Sequence, residues 1–142
     1  MKKETLKLEF PIYRGDFSSA GETSSKIKRI LQNIGFRSKF IRRISIAVYE
    51  AEMNLVIHSF GGIIKAYMEE DSVRIYVEDQ GPGIKDINLA MQEGYSTASD
   101  EIREMGFGAG MGLPNMKKCS DHMYIQSKIG VGTKIMMEFY DL

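Results

Sequence analysis

The 142-residue sequence carries one cysteine, no net charge and no long apolar run, and each scarcity removes a class of protein. A lone Cys119 forms no internal disulfide, which argues against a disulfide-built secreted domain and for a reducing cytoplasm. Lys and Arg total 19, as do Asp and Glu, so no global field draws the chain to nucleic acid or to an anionic membrane. Apolar runs are broken by charge well short of the roughly 20 residues that a membrane span needs. No apolar h-region follows Met1-Lys2-Lys3, so no secretory leader is expected. Internal repeats and low-complexity segments are also lacking. What is present is ordinary for one globular domain spanning 1–142: 43% hydrophobic and 27% charged residues.

Hydrophobic period divides the chain. "LKLEFPIY" (6–13) alternates as a strand, and Pro11 suits an edge position. Residues 18–34 carry Ile27, Ile30, Leu31 and Ile34 at helical spacing, stopped by Gly35. The strongest helix is 38–59, with Ile41, Ile44, Val48, Ala51 and Leu55 stepping by three and four as its buried stripe. After Gly61-Gly62 the period becomes two, and "IIKAYMEE" and "VRIYVED" read as a hairpin turning at Glu70-Asp71-Ser72. A short helix over 84–91, an irregular stretch over 92–112, a helix over 113–121 and a hairpin pairing 123–129 with 133–140 complete the order. Strand pairs separated by helices, without regular βαβ alternation, define an α+β layer sandwich.

Polar residues within these elements suggest chemistry. Glu50, Asn54 and His58 are spaced by four along one side of the long helix, drifting about 40° per step, beside its buried stripe. A carboxylate beside a carboxamide suits a magnesium ion whose other ligands are phosphates and waters, and the carboxylate can act as a general base. Alone, the same residues equally describe a partly exposed helix face, with His58 as a helix-end residue. Glu52 lies about 200° round from Glu50 and is expected on the solvent face. In "VEDQGPGI" (77–84), Asp79 ends a strand, where a carboxylate can accept from an exocyclic amine. Gly81 and Gly83 beside it let a flat ring lie on bare backbone; a tight turn would use the same residues.

The run "GFGAGMGLPNM" (106–116) has a glycine at every second position and leads into a helix start marked by Pro114. A dinucleotide fingerprint needs glycine at its sixth position, where Met111, Leu113 or Asp86 stands instead, and no Gly-Lys-Ser/Thr P-loop occurs. Two readings remain: a slack surface loop, or a loop whose N–H groups and following helix favour an anion, with Lys117 and Lys118 adding charge. Thr133 after "GVG" reads alone as a β-branched strand residue. Cys119 and the ten methionines read as packing residues.

The order of these features, Glu50-x-x-x-Asn54, Asp79-x-Gly81-x-Gly83, the glycine loop and Gly132-Thr133, resembles the GHKL (Bergerat-fold) ATP-binding family. That family comprises histidine kinases, type II topoisomerases, Hsp90-type chaperones and anti-sigma kinases. "EDQGPGI" and "MQEGYSTASDEIREMGFGAGMGLPNMKK" are most similar to the anti-sigma regulatory kinases of the RsbT type, with the RsbW and SpoIIAB types as cousins. The resemblance implies a two-layer α/β sandwich with a mixed, mostly antiparallel sheet and helices on one face. It also implies ATP and Mg²⁺ as cofactors, with Glu50 as general base and Asn54 as magnesium ligand. Asp79 would hold the adenine amine, Gly81 and Gly83 would form the pocket floor with Ile84 among the nucleotide contacts, and Thr133 would support the base directly or through water. His58 joins the nucleotide-contacting set. Residues 94–112 would form a phosphate lid, with Tyr95, Ser96 and Thr97 at its start. Gly106, Phe107, Gly108, Ala109, Gly110, Met111, Gly112 and Leu113 would close it, and "ASDEIRE" (98–104) makes this lid longer than the compact pattern.

The implied activity is serine/threonine phosphorylation of a STAS-domain antagonist in a cytoplasmic partner-switching module. A sigma factor or a PP2C-type phosphatase is a further candidate partner, and the cousins imply a homodimer. An ATP-loaded binding protein and an ATP-hydrolysing switch stand as alternatives, and the switch shares every site residue. The presence of a carboxylate at position 50 favours the enzyme.

Overall fold

Alternation in the strand segments dictates one dry face, and helical stripes must cover it. The computed structural model describes residues 6–84, 86–92 and 112–141. Its elements are β1 (Leu6–Ile12), α1 (Glu22–Ile34), α2 (Ser38–His58), β2 (Gly62–Met68), β3 (Ser72–Asp79), α3 (Ile87–Ala90), α4 (Gly112–Cys119), β4 (His122–Lys128) and β5 (Gly132–Tyr140). The strands form one sheet in the order β1-β2-β3-β5-β4. Ile64, Ala66, Met68, Val73, Ile75, Val77, Ile135, Met137 and Phe139 are buried on its inner face. The alternate positions, such as Lys65, Arg74, Tyr76 and Lys134, lie outside that core.

Every described strand pairing is antiparallel, where a mixed, mostly antiparallel sheet was expected. The connections explain the difference. Between β1 and β2 the chain runs out along α1 and back along α2, so it re-enters where it left, with Ile12 opposite Gly62. Likewise β5 begins beside the end of β3, with Glu78 opposite Lys134. Pro11 lies on the edge strand β1, as its missing N–H requires.

The expected stripe of α2 is dry: Ile41, Ile44, Val48, Ala51 and Leu55 are all buried. Phe40, Ala47, Met53 and Val56 are buried too, because α1 and α4 flank the helix while its stripe faces the sheet. In α1, Ile27 and Leu31 are fully buried, whereas Ile34, at the last position, is 50% exposed. Helix α1 starts later than expected, at Glu22, and ends at Gly35, whose φ of +101° is one that an L side chain rarely adopts. There the N–H of Gly35 reaches Gln32 and that of Phe36 reaches Leu31, closing the last carbonyls. Among the described residues no helix is long and apolar enough to cross a membrane.

Glu52 overturns its expected place. It is 2% exposed, not on a solvent face. Its angle from Glu50 was correct, but α1 covers that side of α2, which a helical wheel cannot reveal. The carboxylate accepts from the N–H groups of Thr23 at 3.2 Å and Ser24 at 3.3 Å, donors that the first turn of α1 cannot satisfy within the helix. Burial pushes the Glu52 carboxyl above its ordinary pKa, while the Thr23, Ser24 and Gly21 N–H groups pull it back. Replacing Glu52 with alanine leaves the buried Thr23 and Ser24 donors without this acceptor. The expected cost is about 2 kcal/mol, or a Tm lower by about 4–8 °C, read by thermal denaturation. A variant melting with the parent would remove the cap from the account.

Arg43 ties the far end of α4 to the same frame. Its Nε donates to the Cys119 carbonyl at 2.9 Å and its Nη2 pairs with Asp121 at 2.8 Å. Asp121 in turn accepts from the Tyr140 N–H at 2.7 Å. These bonds, with the buried side chains of Leu113, Pro114 and Met116, seat α4 against α2.

Candidate functional site

Polar residues gather where the ends of β3 and β5 meet the C-terminal half of α2. Asp79, on the helix-facing side of β3, accepts the Thr133 N–H on Oδ1 at 2.8 Å. Burial pushes the Asp79 carboxyl above its ordinary pKa, and the Thr133 N–H opposes that shift. Two glycines make the approach possible. A Cβ at Gly132, whose φ is +148°, would collide with the Asp79 carbonyl. At Gly83, φ is +77° and a Cβ would lie 2.6 Å from the Lys128 carbonyl. Gly81 is buried, with room for a Cβ only at 3.4 Å from both Asp79 Oδ1 and Ser59 Cα, so this loop lies against the end of α2.

A hydroxyl pair stands behind Asp79. Ser127 Oγ and the buried Thr133 Oγ1 are 2.8 Å apart, and Ser127 Oγ accepts the Ile84 N–H at 2.6 Å. One serine therefore joins the glycine loop to β4 and β5. Ser127 was absent from the sequence-derived set. Hairpin register would have found it, since Ser127 pairs with Thr133 across the turn.

The second cluster lies along α2. Glu50 and Asn54 are half-buried and face the start of α4. A Cβ added at Gly112 would lie 3.0 Å from Asn54 Oδ1 and 3.4 Å from Glu50 Oε2, so bare backbone covers the pair. Asn115, also missed by sequence, donates its Nδ2 to Glu50 Oε1 at 3.3 Å. Its signal was its offset of three from Gly112, which places both on one helix face. From Asn54 to Ser59, beside the Asp79 loop, is roughly 7–8 Å along the helix axis. Half-buried His58 lies between them, and burial lowers its imidazole below the ordinary pKa.

The structure therefore brings Glu50, Asn54 and Gly112 together, and separately Asp79, Gly81, Gly83, Ile84 and Thr133. Leu113 is buried in the first turn of α4. Tyr95, Ser96, Thr97, Gly106, Phe107, Gly108, Ala109, Gly110 and Met111 lie outside the described residues. Among the described residues there is no group of three or more His, Cys, Asp or Glu suited to holding a metal by themselves. One carboxamide and one carboxylate suit a hard cation that draws most ligands from phosphate and water. The acceptor-only carboxylate at one end can take an amine, and the oxygen ligands at the other can meet an anionic tail through such a cation.

Residues 41–141 match the family described as Histidine kinase-, DNA gyrase B-, and HSP90-like ATPase. The chain belongs to this GHKL family of ATP-binding domains. Within it, the chain is 32% identical over 112 residues to the serine/threonine-protein kinase RsbT of Bacillus subtilis (strain 168), covering 76% of this chain and 78% of the relative. It is 38% identical over 105 residues to the anti-sigma F factor of Thermoanaerobacter sp. (strain X514), covering 70% of each. Its fold matches the RsbU and RsbW domains of a Mycobacterium tuberculosis protein with a TM-score of 0.61 at 17% identity. That match covers 97% of this chain and 32% of the larger one.

Proposed function

We propose that the chain is an ATP-dependent serine/threonine protein kinase of a cytoplasmic partner-switching module. Residues 1–142 would act as one nucleotide-binding domain, and the acceptor would be a hydroxyl on a STAS-type antagonist. The observation that carries this reading is the half-buried Glu50 carboxylate beside Asn54, covered by bare backbone at Gly112. A carboxylate there can take the proton of an acceptor hydroxyl, a step that phosphotransfer requires and simple ATP holding does not. Similarity to the RsbT kinase supports the same reading.

In this reading Asp79 takes the adenine exocyclic amine on the oxygen not engaged by Thr133. The ring would lie against Gly81, Gly83 and Ile84, with the Thr133 hydroxyl at its edge and His58 among the nucleotide contacts. Asn54 would hold Mg²⁺, an ion that can draw its remaining ligands from phosphate and water. The ion, when bound, supplies charge neutralisation on the phosphates. Glu50 accepts the proton of the serine or threonine hydroxyl as its oxygen bonds to the γ-phosphorus and ADP leaves. Residues 94–112 would serve as the phosphate lid that the family resemblance implies. Catalysis is then mainly positioning and electrostatics.

Ser127 supports the ring end. Changing it to alanine leaves the Ile84 N–H and the Thr133 hydroxyl without their shared partner. ATP affinity is expected to fall about 5- to 10-fold, read by calorimetric titration, with the fold retained. Unchanged affinity would show that the hydroxyl pair plays no part in binding.

The function itself is tested by incubating the protein with γ-labelled ATP and a STAS-domain protein from the same genome. Label on a serine or threonine of that protein is the expected result. A second reading, in which the ATP-loaded chain binds a sigma factor directly, draws support from the anti-sigma F relatives. ATP-dependent capture of a purified sigma factor without label transfer would favour it over the kinase.

A further inference from the structure

Glu50 is a flexible side chain on a half-buried helix face, and a general base must be held within a fraction of an ångström of its working position. Asn115 is placed to do this. Its amide reaches one carboxylate oxygen, Oε1, at 3.3 Å, while Oε2 faces Gly112 and Asn54. The helix that delivers the amide is itself anchored. Met116, the next residue, is fully buried, Leu113 and Pro114 are buried, and Arg43 holds the Cys119 carbonyl at the other end. An exposed asparagine in mid-helix is a poor helix former with little to contribute. This one is half-buried and aimed across at the facing helix.

We propose that Asn115 is a positioning residue for Glu50. By engaging Oε1 it fixes the carboxylate's rotamer and leaves Oε2 to take the acceptor hydroxyl's proton. The inference rests on Glu50 being the base, as proposed above. An asparagine suits the role because its amide donates to the carboxylate without bringing a competing positive charge. A lysine at the same position would form an ion pair with the base and neutralise its charge.

A double-mutant cycle on the full chain tests this, using single-turnover phosphotransfer to the STAS-domain acceptor, an ATP titration and a melting curve for each variant. In the parent, Asn115→Ala should slow phosphotransfer about 10- to 100-fold and leave the ATP Kd within about 3-fold. In a Glu50→Gln background, Asn115→Ala should slow it by less than about 2-fold, because the residue it positions is already disabled. Asn115→Asp, of the same size, should fold normally and be slower than the alanine variant, since a second carboxylate then faces Glu50. It provides the measurement if the alanine variant fails to fold.

A parent-like rate for Asn115→Ala would overturn the inference, as would an equal loss in both backgrounds. An Asn115→Asp variant as fast as the parent would do the same. Glu50→Gln retaining the parent rate is a different failure, which removes the base assignment itself.

Discussion

ATP affinity is expected to fall about 10- to 150-fold when Asp79 is replaced by asparagine, with the melting temperature little changed. The asymmetry of the site sets this result. One oxygen of Asp79 accepts the Thr133 N–H at 2.8 Å. Asparagine can keep that bond only by turning its NH₂ toward the ligand, where the adenine amine is also a donor. Two donors then face each other, and a hydrogen bond to a charged group, worth about 1.5–3 kcal/mol, is lost. Acidification should act in the same way. Burial holds the Asp79 carboxyl above its ordinary value of 3.8, so on lowering the pH it protonates sooner than a free aspartate. The protonated acid presents an O–H to the amine, and affinity declines as pH falls through the raised value. The asparagine variant should lack this limb. Calorimetric titrations of both proteins across the acid range provide the check. A variant binding as tightly as the parent, with the same pH profile, would detach Asp79 from adenine.

Phosphotransfer should drop by about 10²- to 10⁴-fold in a Glu50→Gln variant that still binds ATP within about 3-fold of the parent. Glutamine keeps the shape of the side chain and an oxygen that can accept from Asn115. It cannot take a proton from an acceptor hydroxyl. Loss confined to the rate is therefore the signature of a base, whereas loss of ATP binding would assign Glu50 to nucleotide or metal binding. The alternatives separate in the same assay. A hydrolytic switch would lose ATP turnover without a protein acceptor, and a pure binding module would show neither activity even in the parent.

Much of the scaffold was legible because its signals are local. The stripe from Ile41 to Leu55 has helical spacing, and all five of its residues are buried. Gly35 ended α1 because its carbonyl-closing geometry needs a positive φ that glycine adopts without strain. The strands alternated because one face of the sheet is dry. Ile34, at the end of the helical spacing of α1, is half exposed because the last residue of a stripe outruns its cover. Glu52 failed for a distant reason: its angle was right, but the cover came from another helix.

The family order of Glu50, Asn54, Asp79 and Thr133 was readable along the chain, and so was the class of ligand it implies. Period, caps and glycine positions depend on neighbours within a turn or two, so they survive in a linear record. The meetings between elements do not. Asp79 bonds Thr133 from 54 residues away, Glu50 is held by Asn115 from 65 away, and Glu52 caps Thr23 from 29 away. Which helix lies on which side of α2, and which hydroxyl stands behind Asp79, follow from burying one sheet face against three helices at once. That outcome is a sum over many weak contacts across the whole core, and no single segment carries it.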